Sequence, residues 1–498
     1  MRMLIACAAV AVLGTADAFA NDYALQRARS LYGQLRDRAQ CEAALPEART
    51  FWRSSDFQTL SPDAQAAFLN EVMLCAWDLR DSQAAIAASR AARDVGASWA
   101  DYALMQIGLR FEDDALAVES FHQLAATSPP QLEELPVRFA FSVLRAARRL
   151  DASGAAELRI HDALAAAGYA PPEGVPDDSL RVSHARLLVQ RGEVERARER
   201  LATVVEPREV LTMRVSRAFD PLRGDPDFER RLNVMAAAEA NAARARAAAD
   251  RNPRKLGLVH ELAQALRVLG RREEALAELD RAILLAQAEG AAERFEDLED
   301  NLNWLLNEKA YLLYDLGRAE DARAAFGLAI AAGESGQWSV SQVINFASML
   351  EAEGRPADAL QVLHTVGEAS PYGDMWVAAV RACAAEQLGD EALRRESLAL
   401  LREREADNVA ARTRALLCVN DLDAAAAAYI RRLANPDERE PALLALQVYL
   451  EEPHTLPRKR LLAESLEQVR NRPDVRSAVE AVGRIEETPL RSTYWGDF

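Results

Sequence analysis

Apolar and small residues recur along most of this chain at spacings of three and four, while strict alternation over strand length is scarce. That period predicts helices. Ser61-Pro62 opens one, with proline at the first helical position, and Ala64 to Leu79 continues it. Val234 to Asp250 reads as an alanine-rich helix that ends at Asn252-Pro253. From His260, HELAQALRVLGRREEALAELDRAILLA reads as two amphipathic helices with Gly270 at the turn between them. The period breaks between Glu206 and Asp227, where Pro207, Pro221 and Pro226 forbid one continuous helix. Helices are expected again over Pro457 to Arg470 and Asp474 to Ile485. Glu487 to Phe498, ETPLRSTYWGDF, shows no period.

The helices pair in a phased way. Ala263 precedes Gly270 by seven, and Ala275, Leu279 and Ala282 follow it. The same offsets return at Ala310, Gly317, Ala322, Phe326 and Ala329, and at Ala347, Gly354, Ala359, Leu363 and Pro371. Small residues let two antiparallel helices approach, large apolar ones fill the space between hairpins, and glycine makes the turn. The pattern resembles the tetratricopeptide repeat, and the chain is similar to exported bacterial members of that family. The resemblance implies an all-α, right-handed α-solenoid of helical hairpins.

Weaker copies lie upstream, at Ala185, Gly192, Ala197 and Leu201, and at Ala117, Phe121, Leu124 and Pro129 with Glu112 in the glycine's place. Gly270 and Gly317 are 47 positions apart, and the surplus falls in Ala286 to Asn301. After Gly389 the repeats degrade, and Asn420-Asp421 replaces the next glycine. The organisation expected is a leader over 1–20, degenerate repeats over 21–205, a proline-containing break with an alanine-rich helix over 206–253, a repeat array over 254–452, and capping helices with an aromatic tail over 453–498. Tyr494, Trp495 and Phe498 of that tail read as an anchor on the last hairpin or as a recognition segment.

Composition narrows the partner. A net charge of -17 lacks the concentrated cationic surface that phosphate backbones require, so nucleic acid is not expected. The near-exclusive use of arginine, with lysine only at Lys255, Lys309 and Lys459, reads as a coding bias.

The N-terminus reads as an export signal. Met1-Arg2 precedes an apolar run from Met3 to Gly14, and Ala18-Phe19-Ala20 fits a peptidase site, with cleavage expected after Ala20. Leu4-Ile5-Ala6-Cys7 read as a lipobox sits badly, because the apolar run continues past Cys7. No later stretch has the apolar length of a membrane helix. A periplasmic or secreted protein would retain Cys41, Cys75, Cys383 and Cys418, an even number in an oxidising compartment. Cys41 and Cys75 are 34 positions apart and Cys383 and Cys418 are 35 apart, close to one hairpin repeat, so each pair could bridge neighbouring hairpins. Free buried cysteines acting as small hydrophobes are the alternative.

Chemistry is sparse. His122, His161, His184, His260, His364 and His454 include no pair at metal-ligand helical spacing, and no nucleophile-elbow, redox or phosphate-loop motif occurs. Asp113-Asp114 and Glu296 with Asp300 read as solvated helix faces. No cofactor, metal or catalytic residue is expected.

The resemblance implies a concave groove lined by the first helices of successive hairpins, at thirteen, ten, six and three residues before the turn glycine. Those offsets select His260, Gln264 and Arg267 before Gly270; Trp304, Asn307, Tyr311 and Tyr314 before Gly317; Ser341, Ser348 and Glu351 before Gly354; and Trp376 before Gly389. Aromatic side chains there are typical interface anchors, with inter-repeat packing as the other reading. The family's carboxylate clamp places lysine and asparagine where His260 and Gln264 stand, so a chaperone C-terminal peptide is not implied. The expected function is a non-catalytic scaffold of the periplasm or envelope that binds a protein or extended peptide. An envelope polysaccharide factor is the alternative, and an enzyme of unrecognised type the remote one.

Overall fold

A computed structural model describes residues 22–172, 174–334 and 339–491. Residues 1–20, expected to be a leader, and the aromatic residues Tyr494, Trp495 and Phe498 lie outside them. The chain forms two compact units, one through Asp177 and one from Asp178. No helix of the described residues is long and apolar enough to cross a membrane.

Among the described residues the first unit holds four helical hairpins, with two short helices at Ser55–Gln58 and Pro129–Glu133: α1 (Asp22–Arg36) with α2 (Arg38–Trp52), α3 (Pro62–Asp78) with α4 (Ser82–Asp94), α5 (Ala100–Arg110) with α6 (Asp114–Thr127), and α7 (Val137–Leu150) with α8 (Ala155–Ala166). The Ser61 hydroxyl caps α3 by accepting from the Ala64 N–H at 3.3 Å, as the Ser-Pro start predicts. Phe51, Phe57 and Phe68 meet at 5.4–5.6 Å between the first two hairpins. Each buries about 2–3 kcal/mol of apolar surface. Cys41, early in α2, lies at bonding distance from Cys75, late in α3, with Cα atoms 5.8 Å apart.

One turn closes most hairpins. Its central residue has a positive φ, and the next N–H reaches back five residues to the first helix's carbonyl: Asp81 to Ala76, Asp113 to Gly108, Glu193 to Leu188, Arg271 to Leu266, Arg318 to Leu313, Arg355 to Leu350, Asp390 to Ala385 and Asp421 to Leu416. This is a left-handed C-cap that satisfies carbonyls the helix end leaves open. Glycine takes the central position at Gly192, Gly270, Gly317, Gly354 and Gly389, whereas Arg80 (φ 58°), Glu112 (φ 59°) and Asn420 (φ 58°) adopt it without being glycine. At Asp81, Asp113, Asp390 and Asp421 the residue after it caps the second helix with its carboxylate.

The second unit comprises α9 (Asp178–Gln190) with α10 (Val194–Leu201), α11 (Pro207–Val215), α12 (Val234–Arg251), then α13 (Leu256–Val268) with α14 (Arg272–Ala286), α15 (Leu298–Asp315) with α16 (Ala319–Glu334), α17 (Val340–Glu353) with α18 (Pro356–Leu363), α19 (Pro371–Leu388) with α20 (Glu391–Glu403), and α21 (Val409–Cys418) with α22 (Leu422–Ala434). In the proline-containing stretch, Pro207 and Pro226 stand at helix starts and Pro221 lies in a 3₁₀ turn, Arg217–Leu222. The surplus after Ala286 holds a short helix, Ala291–Arg294. Its Asp297 accepts from the Leu256 and Gly257 N–H groups at 2.8 and 2.9 Å, capping α13. Cys383 and Cys418 lie at bonding distance, with Cα atoms 5.6 Å apart.

The C-terminal segment comprises α23 (Arg439–Ala445), β1 (Val448–Leu450), α24 (Pro457–Arg470), α25 (Pro473–Val482) and β2 (Glu487–Arg491). β1 and β2 pair in parallel, so part of the aperiodic stretch is a strand rather than an unpatterned tail. A few residues per strand carry too little alternation to be read.

Candidate functional site

In the first unit, first helices of successive hairpins enclose a groove of about 350 Å³, lined by Trp77 of α3, by Tyr102, Gln106, Leu109 and Arg110 of α5, and by Arg138, Phe139 and Ser142 of α7 with Pro136 before it. The rings stand at defined angles. Tyr102 meets Phe139 edge to face at 6.3 Å, and Trp77 meets Phe111 in the same way at 6.3 Å. Two guanidinium groups lie over rings, Arg110 at 4.5 Å from the Trp77 centroid and Arg138 at 4.9 Å from that of Phe139. Trp77, Tyr102 and Phe139 are half-buried, leaving one side to solvent.

Sequence reasoning selected none of these. The offsets that it applied to glycines select Trp77, three residues before Arg80, and Tyr102, Gln106 and Leu109 at ten, six and three before Glu112. The signal was present: it was hidden at Arg80, where a non-glycine residue holds the left-handed turn, and was legible at Glu112, whose repeat is weak.

Several of the residues selected in the second unit gather in a buried polar layer. Arg267 donates to Asp315 at 2.6 Å and to Glu308 at 3.4 Å, and its guanidinium lies 5.2 Å over the Tyr311 ring. Burial pushes the Glu308 carboxyl up, but Arg267 and His260 together hold it below its ordinary value. His260 Nε2 is 3.9 Å from Glu308, and its ring lies 6.4 Å from that of Trp304. Tyr311 and Tyr314 pack on Phe326 at 5.4 and 6.3 Å, and burial raises both phenols. Asn307 is 1% exposed and accepts from Asn345 at 2.9 Å. Ser348 accepts from Arg414 at 3.3 Å, while Glu351 accepts from Gln387 at 2.6 Å. Gln264 and Ser341 are half-buried, and Trp376 packs against the apolar cluster that includes Met375, Ala379 and Leu401.

The chain's own C-terminal segment lies on this face. Helix α24 packs on α17, α21 and α22, and β2 packs on α12 and α13. The Arg491 side chain abuts Gly270, and the His454 ring abuts Gly317. Arg272 pairs with Glu452. Between α24 and the face remains a cavity of about 310 Å³, lined by Glu351, Glu386, Arg414, Arg458 and Lys459 among others. Burial there pushes the Lys459 ammonium down to about 8. Glu351, Cys383 and Cys418 bring three donor atoms within 4.8 Å. The two sulfurs are already at bonding distance, and Arg414 stands 3.7 Å from Glu351, so the donors are engaged.

No protein-family model matches the chain, and no curated protein matches it in sequence. Among solved structures, a Rap protein complexed with competence and sporulation factor is 13% identical over 90% of this chain and 99% of its own, with a TM-score of 0.31. Yeast Tom70 is 12% identical over 91% and 99%, also with a TM-score of 0.31. The Naa15/Naa10 complex bound to HypK-THB shows 16% identity over 79% and 61%, with a TM-score of 0.23. At these values the fold rests on the chain's own turns and packing.

Proposed function

We propose that this chain is a non-catalytic scaffold of the bacterial periplasm or cell envelope, exported by its leader, that holds a protein or extended peptide on the concave side of its hairpins. The observation that carries this reading is the first unit's groove. Three successive first helices each present an aromatic ring beside solvent-facing polar groups, the composition of an interface anchor rather than of a closed core. The leader-like N-terminus and two cysteine pairs at bonding distance support an oxidising compartment. In this reading the residues from His260 to Trp376 seat the chain's own C-terminal segment, and the first unit receives the external partner.

The test is an array of extended peptides probed with the purified, unreduced protein, with Trp77→Ala, Tyr102→Ala and Phe139→Ala in parallel. Bound peptides should be lost with each substitution while the thermal midpoint is kept. Peptides whose binding ignores all three substitutions would place the site elsewhere. A polysaccharide role predicts saturable glycan binding and an empty array.

A further inference from the structure

The arginines of α7 divide by the partners they have. On α7, Arg148 donates to Glu157 at 2.9 Å and Arg149 donates to Asp114 at 2.7 Å, so these two arginines have carboxylate partners. Arg138, Ser142 and Arg145 recur at spacings of four and three, which puts them along one stripe of the helix. Arg138 is matched only with a ring, and Arg145 only with the Ser142 hydroxyl at 3.0 Å. Burial and the charges of Arg148 and Arg149 oppose the charge of Arg145. Arg110, across the groove, likewise has only rings. No side chain lining the groove is acidic, in a chain with 77 acidic residues and a net charge of -17.

We infer that the groove takes an acidic extended peptide, in which carboxylates alternate with aromatic or aliphatic side chains, through Arg110 and Arg138 set beside Trp77 and Phe139. This rests on the reading of the groove as the binding face. A guanidinium lying on a ring keeps its edge N–H groups directed outward, where they meet a carboxylate in a forked pair. The ring beneath fixes the guanidinium, so less side-chain entropy is lost on binding. Three helices at about 10 Å spacing span about 20 Å, the length of about six extended residues. In an extended peptide alternate side chains point the same way, which suits a floor where arginine and aromatic groups are interleaved.

An anionic polysaccharide also carries carboxylates, but sugars stack on open ring faces. Here Arg110 covers a face of Trp77, Tyr102 and Phe139 meet edge to face, and the Ser142 hydroxyl is engaged by Arg145 and the Arg138 carbonyl. The peptide is the better fit.

The experiment measures fluorescence anisotropy of the full-length, unreduced protein with three labelled probes: a short peptide alternating phenylalanine and glutamate, its glutamine counterpart, and oligogalacturonate. The glutamate peptide should bind at least about tenfold tighter than the glutamine one, a preference that weakens as salt rises. Arg110→Gln with Arg138→Gln should abolish that preference, so that the two peptides bind alike and the salt dependence is lost. Arg110→Lys should restore it only in part. Equal binding of both peptides, still lost with Trp77→Ala, overturns this inference and leaves the groove reading standing. Oligogalacturonate binding that depends on Trp77, with neither peptide bound, overturns both. Failure of all three probes to bind overturns the acidic-peptide assignment.

Discussion

Arg186, on α9 at the start of the second unit, donates to Glu440 on α23 at 3.1 Å across 254 positions of sequence. The pair is one of several links between the opening and closing segments of that unit. Arg214 pairs with Glu486, Arg217 donates to the Glu480 carbonyl at 2.6 Å, Arg484 pairs with Asp220 at 2.5 Å, and Ser216 bridges Gly483. Arg186→Ala should cost about 1–2 kcal/mol, because the pair is mostly shielded from solvent. Amide exchange should speed up over 440–491. An unchanged exchange profile would mean that the link is incidental.

Glu209 gives a pH dependence. Burial, with Glu206 close by, holds its carboxyl up to about 8 from the ordinary 4.5. Between those values the folded chain keeps a proton that the unfolded chain has lost. The group's contribution is therefore full below about 4.5 and is lost as pH rises toward 8, by at most about 1.4 kcal/mol per unit. Glu209→Gln should flatten this slope and raise stability at pH 7.5 relative to the parent protein. Urea midpoints across that range measure it.

Two substitutions at one hairpin should act in opposite directions. A Cβ on Gly108 would stand 2.6 Å from the Ala117 backbone nitrogen and 2.9 Å from the Asp113 carbonyl oxygen. Gly108→Ala should therefore destabilise by about 2–3 kcal/mol, since backbone cannot step aside. Glu112→Gly relieves a left-handed side chain and should be neutral to about 1 kcal/mol stabilising. Thermal melts of the two variants should bracket the parent.

Both cysteine pairs join neighbouring hairpins over loops of 34 and 35 residues. Thiol titration of the denatured, unreduced mature protein should find none at these four positions. Removing either pair by Cys→Ser should cost about 3–4 kcal/mol in a chain-entropy estimate. Four reactive thiols would exclude both bridges.

The sequence disclosed the hairpins where glycine marked the turn. Gly270, Gly317 and Gly354 set a phase that the structure follows, and Ser61-Pro62 starts its helix as capping rules require. Arg80 hides the same turn, because a left-handed backbone without glycine leaves no compositional trace, and at Glu112 the faint repeat showed without marking its first helix as a groove wall. For that reason the groove around Trp77 and Tyr102 went unread. The placement of α24 on the second unit's face was equally silent. Amphipathic periodicity says that Leu462, Leu466 and Val469 must be covered, and not by which surface.

The links between residues 178–251 and 440–491 also bear on how the second unit comes apart. An open stack of repeats touches only its neighbours and can unzip from either end. Here the first helices and the last strand hold one another, so neither end frays alone. Unfolding should be a single concerted loss rather than a stepwise peeling. Folding must first bring distant segments of chain together, which slows it.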